Sequence, residues 1–320
     1  MNEEEKNQLR MASMRLWGGE TMAANKDAMY ILAKCLFKII LDHGKEPVKN
    51  QAEAESKLIV QMIFSKLLNL NKIVDGVDFD SKDEYHLNNV IDPTVIAILV
   101  RTIYETIATF YLIYIKPNSD DEKLIMYNLW VVAGLKFRQR FASNAKSEES
   151  KMKLAYDAQK INDLEKAIRN TTLYNSLSEK GQFAIDKQLK DKDFKVFFDK
   201  GNVIQLSWSQ ITQVMGMKED LMDNMYTYFS LYSHPSNVAV FQFRDLFNKA
   251  ENPSIGMSNF NVSNAIKLIG FFIAEYISLY PETRVVFESL PLIDQIMINY
   301  HSRFFRVDKV SINQAISVLD

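Results

Sequence analysis

Apolar residues recur at intervals of three and four through most of this chain, the spacing that gives one face of an α-helix. Residues 3–17 form the first such run, halted by Gly18 and Gly19. A second spans about 22–41, with Met29, Leu32, Leu36 and Ile40 on one face and Gly44 just past its end. A third spans 52–70 and carries Leu58, Met62, Ser65 and Leu68 at helical spacing. Residues 75–84 break the pattern and read as an acidic, solvated loop. Their alternating aspartates do not fit a calcium-binding EF-hand, which needs glycine at its sixth position and glutamate at its twelfth.

Asp92 and Pro93 open the most apolar run, with Asp as N-cap and Pro in the first helical position. That helix is predicted to reach Ile115 and stop before Pro117. Ser119, followed by Asp120, Asp121 and Glu122, starts the next, which runs to about Arg140 through Leu124, Tyr127, Val131 and Leu135. Composition then changes. Residues 142–200 are rich in Lys, Glu, Asp and Gln, with Leu154, Ile161 and Ile168 each seven apart, which predicts a long exposed helix with a narrow apolar seam. Ser207 to Gln210 has the form of a capping box opening a short helix that ends near Gly216. Further helices are predicted over 218–234, ended by Pro235, over 261–280, ended by Pro281, and over 292–305.

The expected fold is all-α: an irregular multi-helix bundle with a buried central helix and a long charged helical insertion. Residues 1–75 supply amphipathic helices that pack on a main helical domain, 85–320, and 142–200 form the insertion, a flexible or partner-binding element. No repeat of 20–50 residues is present, which argues against a regular solenoid. Only 10 Gly and 7 Pro occur among 320 residues, too few for the turns of an all-β fold.

Charge narrows the partners. A net charge of −2 leaves no global basic field for nucleic acid or acidic membranes. The run 90–115 is apolar enough to suggest a membrane span, but it holds Asp92, Arg101 and Glu105, and each charge in a span costs about 2.5–3.5 kcal/mol. A buried helix of a soluble protein explains it better, so no membrane is expected. Cys35 is the one cysteine, which excludes an intrachain disulfide and a Cys-based zinc site, and with the polar, acidic start it points to a reducing cytoplasm.

Arg101 and Glu105 are the first candidates for chemistry. Four residues apart on an apolar helix, they share a face. They are either a clasp between helices or part of a site, since both kinds of network bury charge. The second group is Tyr226, Ser230 and His234, a polar stripe at four-residue spacing, followed by Ser236. Histidine at a helix end serves as acid, base, charged anchor or simple cap. Arg101, Glu105 and His234 are thus the candidate catalytic residues, and Tyr226, Ser230 and Ser236 the candidate ligand-binding ones. No nucleophile elbow flanks Ser230 or Ser233, no H-E-x-x-H or paired E-x-x-H occurs, and no glycine-rich phosphate loop is present, so no metal and no cofactor is assigned. Glu275 would pair with Lys267 or join the Arg101 cluster. His301, Arg303 and Arg306, with Arg138 and Arg140, read as a solvated basic face or as a phosphate-binding surface.

An apolar helix with Arg101 and Glu105, then Trp208-Ser209 before a short helix, then Tyr226, Ser230, His234, Pro235 and Ser236 resembles an uncharacterised family of bacterial all-helical proteins. The resemblance covers about residues 90–240 and implies the fold and the polar cluster, without a reaction. A more distant likeness is to the higher-eukaryote-and-prokaryote nucleotide-binding helical domains, many of them RNA-cleaving toxins or phage-defence effectors. Those carry Arg and His close together on one helix, whereas Arg101 and His234 come from separate helices. Two readings follow. The first is a binding or regulatory module holding a small anionic ligand or RNA, with a protein partner or second copy engaged through 142–200. The alternative is a metal-independent RNase-like effector using His234 and Arg101.

Overall fold

The computed structural model describes residues 3–17, 21–82, 85–234, 236–248 and 253–306. Among them the architecture is all-α, with two short β-hairpins. In chain order the elements are α1 (Glu3–Trp17), α2 (Met22–His43), α3 (Gln51–Ile73), β1 (Val77–Asp80), β2 (His86–Val90) and α4 (Pro93–Phe110), which continues as a π-helical turn over Tyr111–Ile115. Then come α5 (Asp120–Gln139), α6 (Glu148–Arg169), α7 (Thr172–Ser176), α8 (Glu179–Asp191), β3 (Val196–Asp199), β4 (Asn202–Gln205) and α9 (Trp208–Val214). The chain closes with α10 (Glu219–Leu231), α11 (Asn237–Asn248), α12 (Pro253–Leu279), α13 (Arg284–Glu288) and α14 (Leu292–Arg303). The chain divides into two compact units, one of Met1–Ala108 with Gly216–Asp320, the other Thr109–Met215.

Caps read from sequence set several of these boundaries. Asp92 Oδ1 accepts from the Thr94 amide at 2.8 Å, leaving Pro93 at the position that needs no donor. Ser119 accepts from Glu122 N, and Ser207 and Gln210 form the full reciprocal capping box.

In the first unit α12 runs through the core, with α2, α11 and α14 against it. Phe271, Phe272, Ile273 and Tyr276 of α12 are buried, as are Met29, Leu32, Cys35 and Leu36 of α2, which packs against it. Burial drives the Cys35 thiol pKa up to about 12. Two helical stretches, Pro93–Ile115 and Pro253–Leu279, are long and apolar enough to cross a membrane by length and composition, and 56% and 67% of their most apolar windows are buried within the fold.

Gly270 marks the close approach of α12 to α14. A Cβ added there would lie 2.8 Å from His301 Cβ and 3.2 Å from the Ser302 amide nitrogen. Alanine normally gains about 1 kcal/mol over glycine inside a helix, but overpacking a tight contact costs about 1–3 kcal/mol. Gly270→Ala is therefore expected to lower stability by about 1 kcal/mol. Gly134 in α5 meets nothing within 4 Å of an added Cβ. Gly134→Ala should raise stability by about 0.5–1 kcal/mol. Urea midpoints of the two variants moving in the same direction would contradict the packing at Gly270.

In the second unit α6 lies along α5. Ile161 and Ile168 are buried, so the apolar seam read from the sequence is an internal packing face. Arg138 of α5 donates from Nε and Nη2 to the buried Asp157 of α6 at 2.6 and 2.5 Å. The charged stretch is not one long helix. It folds as α6, α7 and α8 and then enters the β3–β4 hairpin, closed by Lys200 and Gly201, both at positive φ, as a two-residue type I′ turn demands.

Several sequence expectations are corrected. The acidic loop of 75–84 instead contributes β1 of an exposed hairpin, β1 pairing antiparallel with β2. The apolar stripe read in α3 points outward: Leu58, Met62 and Leu68 are exposed, while Ile59, Ile63, Leu67 and Leu70 are buried. In α5 the stripe read lies at the edge of the core, with Tyr127, Val131 and Leu135 half-buried. In α5 Leu124 is exposed and Ile125, Leu129 and Val132 are buried. Both helices carry two apolar stripes about one residue apart, and periodicity alone does not rank them. Helix α11 was not anticipated, and α12 begins eight residues earlier than its apolar run suggested, at Pro253.

Candidate functional site

Arg101 and Glu105 pair as their spacing predicts, Nε to Oε1 at 2.9 Å. Tyr226 of α10 completes the group. Its hydroxyl accepts from Arg101 Nη2 at 3.1 Å and donates to Glu105 Oε1 at 3.2 Å. The guanidinium carbon lies 5.3 Å from the Tyr226 ring centroid, and Tyr104 packs against the same ring at 5.6 Å. Burial pulls the Arg101 pKa down, but Glu105 and Tyr226 outweigh it and hold the guanidinium above its usual value. Burial and the Glu105 charge push the Tyr226 phenol up. Arg101 thus stays charged, Tyr226 stays neutral, and the three groups satisfy one another. The triad joins α4 to α10.

His234 does not enter this triad, and Ser230 touches it only through Tyr226. Ser230 Oγ donates back to the Tyr226 carbonyl of its own helix at 2.6 Å, the usual resting place of a mid-helix serine. Helix α10 ends at Leu231, three residues before the expected end, so His234 leaves the helical stripe. Ser233 and His234 lie in the turn to α11, and Ser236 accepts from Ala239 N at 3.1 Å as the cap of that helix.

This turn forms one wall of a cavity of about 340 Å³. His234 is exposed at it, and the Ser233 hydroxyl is buried with no hydrogen-bond partner among the described residues. Thr94, in the first turn of α4, faces them, and Val240 and Phe243 of α11 supply the apolar side. Tyr232 also lines the cavity, its hydroxyl held by Gln242 at 2.8 Å. Thr94 precedes Arg101 by seven residues, about 10 Å along the helix. The cavity and the triad are therefore separate places that share α4, the triad completed by α10 and the cavity by the turn after it and by α11. Thr94 and Phe243 escape a reading of the sequence, where Ser233 figures only as a nucleophile; the polar residues clustered between Ser230 and Ser236 were the signal available for it.

The remaining candidates find local partners. Glu275 accepts from Arg306 Nη1 at 2.6 Å, rather than from Lys267 or Arg101, and Arg306 lies 4.4 Å from the Phe271 ring. His301 is buried, Arg138 is bound to Asp157, and Arg140 lies over Phe137 at 5.0 Å, so these positions form no common basic face within either unit. Trp208 packs against Phe194 at 6.4 Å and under Lys195 at 5.2 Å. Among the described residues no cluster of three His, Cys, Asp or Glu side chains is placed to hold a metal ion.

A family model described as a family of unknown function, DUF5677, matches residues 88–280, well over half of the chain. The chain belongs to this family. The DUF5677 region takes in α4, α10, α11 and α12, and so both the triad and the His234 cavity, while α1–α3, α13 and α14 fall outside it. Comparison with curated proteins and with solved structures finds no match.

Proposed function

We propose that this DUF5677 protein is a cytoplasmic binding module whose ligand is a small anion with an apolar or aromatic body, held in the His234 cavity. The observation that carries this reading is the Ser233 hydroxyl, buried with no partner among the described residues, beside the exposed His234 imidazole. An unmade buried hydrogen bond costs about 1–3 kcal/mol, so a ligand oxygen placed there recovers it. Thr94 and Ala239 bring the first turns of α4 and α11 to the cavity, and helix N-termini favour negative charge. Asp92, the nearby carboxylate, is turned onto the Thr94 hydroxyl and amide. Val240 and Phe243 give the apolar body a surface, and the volume suits a small organic ligand.

The Arg101–Glu105–Tyr226 triad serves here as the clasp that fixes α4 against α10. With the guanidinium committed to Glu105 and Tyr226, binding is favoured over phosphodiester chemistry.

The test is titration of the purified protein with benzoate and with benzamide, followed by NMR. Benzoate is expected to bind and shift the His234 resonances, with benzamide weaker by about tenfold, the difference expected of a charge-assisted bond. His234→Ala should remove that preference. Equal binding of the two compounds, or none of either, overturns the reading. RNA cleavage by the wild type that His234→Ala abolishes would put an RNA-cleaving effector in its place.

A further inference from the structure

The second unit carries a groove of about 500 Å³ with an unusual make-up. One wall is the whole length of β4, Asn202–Gln205. The other is a face of α8 that presents Lys180, Phe183 and Lys187, spaced by three and four residues so that they form one stripe. Strand β4 belongs to a two-stranded sheet, and among the described residues no strand lies along its far edge.

The hydrogen-bonding phase of that edge follows from the hairpin. The Leu206 amide donates to the Lys195 carbonyl, and Val196 lies opposite Gln205 and Phe197 opposite Ile204. Pairs alternate between bonded and non-bonded along an antiparallel ladder. Asn202, Ile204 and Leu206 therefore direct their backbone groups to β3, and Val203 and Gln205 direct theirs to the open edge. Natural sheets usually block such an edge with proline, a bulge or a covering element; β4 carries no proline and no bulge, and α8 packs beside it with the groove left between them.

Side chains add a sign. Lys180 and Lys187 line the groove, no acidic residue does, and neither lysine pairs with a carboxylate among the described residues; Lys187 reaches only the neutral Gln205 side chain at 3.3 Å. Phe183 stands between them, 68% exposed. We infer that this groove takes an extended acidic peptide, which adds as a third strand to β4. Its backbone would bond to Val203 and Gln205, its carboxylates would meet Lys180 and Lys187, and an alternate apolar side chain would cover Phe183. This inference is independent of the His234 cavity, which lies in the other unit.

Fluorescence anisotropy with the full chain tests it, using a short labelled peptide that alternates glutamate and valine. Saturable binding that weakens with added salt is expected. Two further peptides carry N-methyl groups on one or the other alternate set of backbone nitrogens. Only the set facing β4 should weaken binding, by about tenfold for a lost hydrogen bond and the clash that replaces it. Val203→Pro removes an outward donor without touching the β3 ladder and should weaken binding by about tenfold as well. Lys180→Glu with Lys187→Glu should abolish it while the helical circular dichroism is kept. Equal binding of all three peptides would overturn strand addition, whatever the variants do. Absence of saturable binding overturns the inference too, as does displacement of the peptide by lower concentrations of oligouridylate, which would mark a single-stranded RNA surface instead.

Discussion

Lowering the pH from 6.5 to 4.5 is expected to destabilise the first unit by about 2–3 kcal/mol through His301, at about 1.4 kcal/mol per pH unit. His301 of α14 is fully buried, its Cβ lying against the Gly270 turn of α12. Burial takes its pKa down to about 3 from 6.5, with the Lys267 charge acting the same way and the Leu16 backbone opposing. The direction follows from proton counting. Above pH 6.5 the imidazole is neutral in both folded and unfolded chains, so it contributes no pH dependence. Between 6.5 and about 3 only the unfolded chain takes up the proton, and stability falls as pH falls. His43 adds a slope of the same sign, because burial and then Lys57 lower its pKa too. Carboxylates with pKa values near 4 begin to titrate at the lower pH in any variant, so the difference between wild type and His301→Leu isolates the imidazole. His301→Leu should remove most of the slope. Urea unfolding of wild type and variant at pH 6.5 and 4.5 measures it, and identical losses in both proteins would clear His301 of the effect.

Arg138→Ala is expected to cost the second unit about 3 kcal/mol, the low end of what a stranded buried charge costs. Asp157 is 2% exposed and receives two short hydrogen bonds from Arg138. Those bonds hold the guanidinium pKa above its usual value. Removing the arginine leaves the carboxylate buried without that partner. Because Arg138 itself is half-exposed, water softens the penalty. Replacing both partners, Arg138→Met with Asp157→Leu, should recover most of the loss, since a matched apolar pair needs no counter-charge. A single variant within about 0.5 kcal/mol of wild type would be the behaviour of a surface pair and would contradict this packing.

Local chemistry was the legible part of the sequence. Asp92-Pro93, Ser119 and the Ser207–Gln210 box each act within a few residues, so their effects are written where they occur. The Arg101–Glu105 pair is legible for the same reason, being one helical turn long. What failed needed tertiary information. Leu58 and Ile63 both sit on apolar stripes of α3, and only the position of α2 decides which stripe is buried. The partner of Glu275 proved to be Arg306, 31 residues away, and that of Arg138 proved to be Asp157. The early end of α10 displaced His234 from the stripe of Tyr226 and Ser230, turning one imagined cluster into a clasp and a separate cavity. Short exposed strands such as β1 also escape, because Val77, Asp78, Phe79 and Asp80 alternate over only four residues, too few to stand out from an acidic loop.

Cys35 gives the molecule a built-in clock. Its thiol is fully buried in the middle of α2 and protonated well beyond neutral pH, so an alkylating reagent reaches it only when α2 leaves the core. Labelling of the native protein then counts openings of the first unit directly. For the same reason a second cysteine engineered on any exposed position would take a dye alone, with no need to remove the natural one.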